Sequence, residues 1–188
     1  KKEDQSEDFL ANQKLLLSSA QLLNNNAKVA YNHLLDCVAI LGGSLSKENT
    51  LFNEEKRITH DTCILNQARI DFEQGNFESA KKNYQKIKKS SLVWPEILFE
   101  EAWASFYLGN YNRSLGKIVT YKSPFFDFIF NPEVEVLEAL SYMEMCYYEN
   151  TQKVVNDFYK KYSQDSKYIK KFLNRYGSKV HKVGSLLI

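Results

Sequence analysis

Three histidines, three cysteines and a few adjacent acid pairs are the residues of this chain that could do chemistry. His33, His60 and His181 are scattered, and no pair of them shares a helical face with a carboxylate at a metal or catalytic-triad spacing. Cys37, Cys63 and Cys146 fall far apart in helical patterns without a CxxC pair. Their odd number and wide spacing argue against a disulfide framework or a metal site, and they read as buried free thiols. Glu54-Glu55 and Glu100-Glu101 are neighbours in sequence. Neighbours on a helix point apart, so these acids read as solvated faces. There is no Gly-rich phosphate loop and no GxSxG. The expectation is a protein that is not an enzyme, with no catalytic residues, cofactor or metal.

The elements that would carry these residues are helical. The chain has 188 residues, three Pro and seven Gly, and strand signals are weak, so an all-α class follows. No apolar run approaches a membrane span, and the chain opens on Lys1-Lys2-Glu3-Asp4, unlike a signal peptide. Charge is uneven. Residues 151–188 hold nine Lys/Arg and two Asp, a local +7 against +2 overall, which leaves −5 on residues 1–150. Such asymmetry can mark an electrostatic contact surface.

The organising signal is a repeated turn. Gln74-Gly75-Asn76-Phe77-Glu78-Ser79-Ala80 returns 34 residues later as Leu108-Gly109-Asn110-Tyr111-Asn112-Arg113-Ser114. A Gly at positive φ ends one helix, and the Asn beside it can cap the next. The same offset pairs Ile64 with Leu98, Ala68 with Ala102, Phe72 with Phe106 and Ala80 with Ser114. Small residues at matched positions fit where two helices come closest. An N-terminal copy places Ser18, Leu22, Asn25 and Ala30 at the corresponding positions. A third copy, offset by 37, places Ala139, Met143, Cys146 and Thr151 there.

This helix–turn–helix of 34 residues, with its small residues and its Gly-Asn-aromatic turn, resembles the tetratricopeptide repeat (TPR). Gln67, Glu101 and Ser114 depart from the family pattern. The resemblance implies a short right-handed α-solenoid of TPR-like hairpins. Residues 1–52 would form a degenerate hairpin and linker, 53–163 three repeats, and 164–188 a basic amphipathic helix or partial hairpin. The turn spacing and aromatic-rich helices are most similar to bacterial TPR proteins of cell-envelope complexes, which implies a periplasmic or envelope-associated location over a cytoplasmic one.

The family also implies a function: a non-enzymatic scaffold or adaptor that holds a partner protein in a groove lined by the first helix of each hairpin. Carried over, the groove residues are Leu65, Arg69, Phe72 and Glu73, then Phe99, Trp103, Phe106 and Tyr107, then Leu140 and Met143, with Val136 and Glu144 beside them. The Lys/Asn pattern by which some TPR domains clamp a carboxylate is absent there. An apolar and aromatic lining suits an amphipathic helix or apolar segment, with Trp103 and Tyr107 as anchors. Aromatics at this spacing are more often core, which the chain's own terminal helix could cover, and that reading stands beside the groove.

Elsewhere, Asn53 followed by Glu54-Glu55 starts one helix, and Gly42-Gly43-Ser44 stops another. Pro95 suits the first turn of a helix. The second helices run to about Lys89 and Tyr121, and Asp165 or Ser166 begins a separate C-terminal helix closed by Gly177. The Phe-rich stretch between Pro124 and Pro132 reads as tucked onto the end of the repeats rather than exposed. Lys160, Lys161, Lys167, Lys170, Lys171 and Arg175, mixed with Tyr159, Tyr162, Tyr168 and Phe172, read first as a solvated face. A nucleic-acid-binding helical repeat protein, or one binding an acidic membrane, is the rival reading.

Overall fold

A computed structural model describes residues 2–45, 53–126 and 128–176. Among these the chain is helical, without strands. The order is α1 (Lys2–Leu23), α2 (Ala27–Leu45), α3 (Asn53–Glu73), α4 (Phe77–Lys86), α5 (Trp94–Tyr107), α6 (Tyr111–Tyr121), a 3-10 turn at Pro124–Phe126, α7 (Glu133–Glu144) and α8 (Tyr148–Tyr176). The chain divides into two compact units, Lys1–Phe130 and Asn131–Ile188.

In the first unit each helix packs on the next in sequence, from α1 through α6. One cluster joins α1, α2 and α3 through Ala11, Ala30, Leu34, Cys37, Leu41, Cys63 and Ile70. A second joins α3, α4 and α5 through Ile64, Leu65, Ala68, Ala80, Tyr84, Ile87, Ile97 and Ala104. Helix α3 therefore buries two faces. That is why its apolar residues do not form a single stripe, and why Lys56, Asp61, Gln67 and Asp71 are buried on it as well. The matched small residues lie at the helix contacts: Ser18, Ala68 and Ala102 on the first helices and Ala30, Ala80 and Ser114 on the second are all buried. In the second unit α7 packs on α8.

Four hairpins close in one way. Asn25, Gly75, Gly109 and Cys146 have φ of 58°, 77°, 73° and 61°. At each turn the N–H of the next residue returns to the carbonyl five positions back, as Asn76 does to Asp71 at 2.8 Å. The positive-φ residue itself reaches back three, as Gly75 does to Phe72 at 2.9 Å. The same pair of bonds recurs at Asn25–Asn26, Gly109–Asn110 and Cys146–Tyr147. Two carbonyls that a helix end leaves unpaired are thus satisfied at every turn. A Cβ on Gly75 or Gly109 would meet nothing within 4 Å, so glycine is needed there for its φ alone. The turn positions match those read from the sequence, Asn25 and Cys146 included. The Asn caps do not: neither Asn76 nor Asn110 makes a side-chain cap bond, and only their carbonyls start the next helix.

Other expectations are corrected. Gly42-Gly43 does not end α2, which runs on to Leu45, because Leu41 is fully buried and Leu45 packs on the same cluster. The polar start of the chain is helical from Lys2. It is held where buried Lys56 of α3 approaches Glu7 and Asp8 at 4.0 Å each. Helix α4 stops at Lys86, since Ile87 turns to extended backbone to reach the core. No new helix starts at Asp165 or Ser166; α8 is continuous for 29 residues, with neither Gly nor Pro inside it to break it. Gly177 lies outside the described residues.

The cysteines are the largest correction. Cys37 and Cys63 are not free thiols but a disulfide, fully buried, with Cα atoms 6.4 Å apart. The bond ties α2 to α3 across 26 residues of sequence. Cys146 is free and exposed at its turn. The Phe-rich stretch also differs from expectation. Phe126 is buried against Trp94 and Tyr121, whereas Phe125, Phe128 and Phe130 are exposed.

Gly75→Val should destabilise the protein by about 1 kcal/mol or more in chemical denaturation, because valine resists positive φ. Cys146→Gly should instead raise stability by about 0.5 kcal/mol, since the non-glycine residue already bears that strain. A Cys146→Gly variant as damaged as Gly75→Val would refute the shared turn. Reducing the Cys37–Cys63 bond should cost about 3 kcal/mol for a loop of this length. Equal denaturation midpoints with and without reductant would show that it does not constrain the fold.

Candidate functional site

In the first unit, α3, α5 and the starts of α4 and α6 bring aromatic rings together beside two turns. Phe72 meets Phe77 at 5.2 Å and Tyr107 at 5.6 Å, and Phe77 stacks on Tyr107 at 4.7 Å. Trp103 packs on Phe106 and Tyr107 at 5.7 and 5.8 Å, and Phe106 reaches Tyr111 at 5.4 Å. The spacing explains the gathering. Trp103, Phe106 and Tyr107 lie at i, i+3 and i+4 on α5, and the 34-residue period places Phe72 level with them on α3. The cluster is half-buried, except for Tyr107, which is 53 % exposed. The indole N–H of Trp103 is buried without an acceptor, so its ring is set inward.

The other expected groove residues of this unit do not join that cluster. Leu65 is 1 % exposed and belongs to the core. Phe99 is turned to Tyr121 of α6, 5.8 Å away. Glu73 is exposed beside the turn. Arg69 is an ion-pair hub: its Nε donates to Glu100 at 2.9 Å, and its Nη2 donates to Glu100 at 2.6 Å and to Glu96 at 2.7 Å. Burial alone would lower the Arg69 pKa, but the bonds and charges of Glu100 and Glu96 raise it above the usual guanidinium range. Tyr84 also donates to Glu100, at 3.1 Å. Burial, followed by the charge of Glu100, pushes that hydroxyl far above the usual phenol range.

Glu100 and Glu101 are therefore not solvated acids. They point apart, as neighbours on a helix must, but each points into a contact. Glu100 faces α3 and α4. Glu101, 6 % exposed, accepts from Lys117 of α6 and from Gln85 of α4 at 3.1 Å. Sequence reasoning missed these roles. The available signal was the departure of Glu101 from the apolar residue usual at its repeat position, with a lysine sixteen residues on.

In the second unit the α7–α8 hairpin holds an open apolar cleft of about 310 Å³. Val136, Ala139, Leu140 and Met143 of α7 form one wall, and Val154, Val155 and Phe158 of α8 the other. Glu135, Thr151 and Tyr159 complete the lining. Leu140 and Met143 thus stand on the same wall, with Val136 one turn away. Val136, Met143 and Tyr159 are exposed at the mouth. The α8 wall was missed, although Val154, Val155 and Phe158 stand at i, i+1 and i+4. Tyr162 and Lys161 close one end by donating to Glu135 at 3.4 and 3.1 Å.

Among the described residues no group of His, Cys, Asp and Glu could hold a metal ion, and no helix is long and apolar enough to cross a membrane. Fold and sites together define an all-α protein of consecutive helical hairpins, with an aromatic cluster in the first unit and an apolar cleft in the second. No family model matches the chain, and no curated protein matches it either.

Arg69→Met should lower stability by about 1 kcal/mol, with solvent screening over its exposed side limiting the loss. The cost should shrink at high salt. A variant as stable as the parent at low salt would show Arg69 to be free for a ligand rather than committed to Glu100.

Proposed function

We propose that the chain is a non-enzymatic protein-interaction scaffold of the TPR type, a short solenoid whose hairpins present apolar surface to a partner. The open cleft between α7 and α8 is the observation that carries this reading. Its walls are apolar, its mouth is open, and two of its residues, Leu140 and Met143, stand at the groove positions of the repeat. An amphipathic helix of a partner protein fits such a surface, since it can insert apolar side chains at i, i+3 and i+4 while its polar face stays in water. The four like turns support the repeat relationship behind it. In the first unit, Tyr107 is the exposed member of the aromatic cluster and the better anchor there, because Trp103 is turned inward. The buried disulfide supports an oxidising compartment, in keeping with a periplasmic or envelope location.

A photo-reactive side chain at Met143 tests this in the native cell. It should form an adduct with one protein species, lost when Val136 is changed to Asp, and the same group at exposed Lys153 should not form it. Adducts of equal yield from both positions, or none from Met143, would sink the cleft as a docking site.

A further inference from the structure

We propose that the end of α8 beyond Asp165, residues 166–176, is an interfacial helix that lies on an anionic lipid surface. This goes beyond the scaffold reading and uses other residues, since the cleft is lined by residues between 135 and 159. Helix α7 has 12 residues and α8 has 29. Lys161 and Tyr162 already engage Glu135, in the first turn of α7. The chain runs on from there as helix through Tyr176, about 16 Å of it in residues 166–176.

On that extension the two kinds of side chain separate. At a helical advance of about 100° per residue, Tyr168, Ile169, Phe172, Leu173 and Tyr176 share one side. Lys167, Lys170, Lys171 and Arg175 share the other, with no acid among them. The nearest acid, Asp165, falls on the apolar side and marks where the lipid-facing stretch begins. The apolar side is not core: Tyr168, Ile169 and Leu173 are 65, 57 and 53 % exposed. Phe172 and Tyr176 pack on each other at 5.1 Å, and the Arg175 guanidinium lies 5.6 Å from the Tyr176 ring, at the border of the two sides.

Charge and geometry together select the occupant. A nucleic acid would need rings and cations on the same face, to stack bases while neutralising phosphates; here Lys167, Lys170 and Lys171 lie opposite the rings, and Arg175 alone borders them. An acidic protein groove over the apolar side would leave the four cations pointing away from it. A bilayer interface surrounds the helix: the apolar side sinks to the acyl boundary while the long Lys and Arg stems reach anionic headgroups at its flanks. The tyrosines suit that depth, with an apolar ring and a wet hydroxyl.

The test is sedimentation of the full 188-residue chain with vesicles of phosphatidylcholine, with and without phosphatidylglycerol. The chain should bind the mixed vesicles and not the neutral ones. Lys170→Gln with Lys171→Gln should weaken partitioning on the order of tenfold. Ile169→Asn with Leu173→Asn, both at exposed positions, should abolish it while the circular dichroism stays that of the parent. Mixed-vesicle binding that survives the double Asn change would overturn the proposal, because only charge adsorption would remain. So would failure to bind mixed vesicles, alone or together with tight binding to single-stranded RNA or polyglutamate.

Discussion

A helix leaves its last carbonyls unpaired, and among the described residues of this protein one device repairs that loss four times. A residue at positive φ lets the next N–H fold back onto the helix that has just ended, and the chain leaves in the reverse direction. Everything else in the hairpins depends on it. The reversal sets the second helix against the first, and the contact excludes all but small side chains at Ser18, Ala30, Ala68, Ala80, Ala102 and Ser114. The larger residues one turn away, Leu34, Tyr84 and Ile118, then fill the seam.

Between hairpins of the first unit the fold relies on polar groups as well as apolar ones. Asp71 of α3 accepts from Asn83 at 2.8 Å and from Tyr31 at 3.4 Å, linking three helices. Burial raises the Asp71 pKa, against the opposing bonds from Asn83 and Tyr31. Glu100 and Glu101 hold α5 to its neighbours in the same manner. A charge withdrawn from water must be matched by donors of fixed geometry, so such pairs constrain how the helices meet even where their net stabilisation is small. The buried disulfide adds a covalent constraint where α2 meets α3.

Much of the repeat could be read without coordinates because its determinants are local. Gly75 and Gly109 announce positive φ by their chemistry, and a fixed offset carried the inference to Asn25 and Cys146, where chemistry alone would not. The helix ends were less legible. Gly42 and Gly43 carry a stop signal that burial of Leu41 overrides, and Asp165 carries a start signal inside a helix that never ended. The groove positions divided for a related reason. Spacing puts Leu65, Arg69 and Phe72 on neighbouring sides of α3, but only the arrival of α4 and α5 makes one core, one an ion pair and one part of a ring cluster.

The helical class, the places where the chain reverses and the small residues that let helices approach were legible in the residues, because each depends on backbone conformation or on a period along one chain. That Cys37 meets Cys63, that Glu101 meets Lys117, and that Trp103 turns in while Tyr107 stays out follow from packing. Those outcomes depend on which surface lies opposite, and residues far apart in sequence become opposite only when the hairpins pack. The repeated turn and the cystine show the two cases side by side: the turn is written in the residues that form it, the cystine only in the approach of α2 to α3.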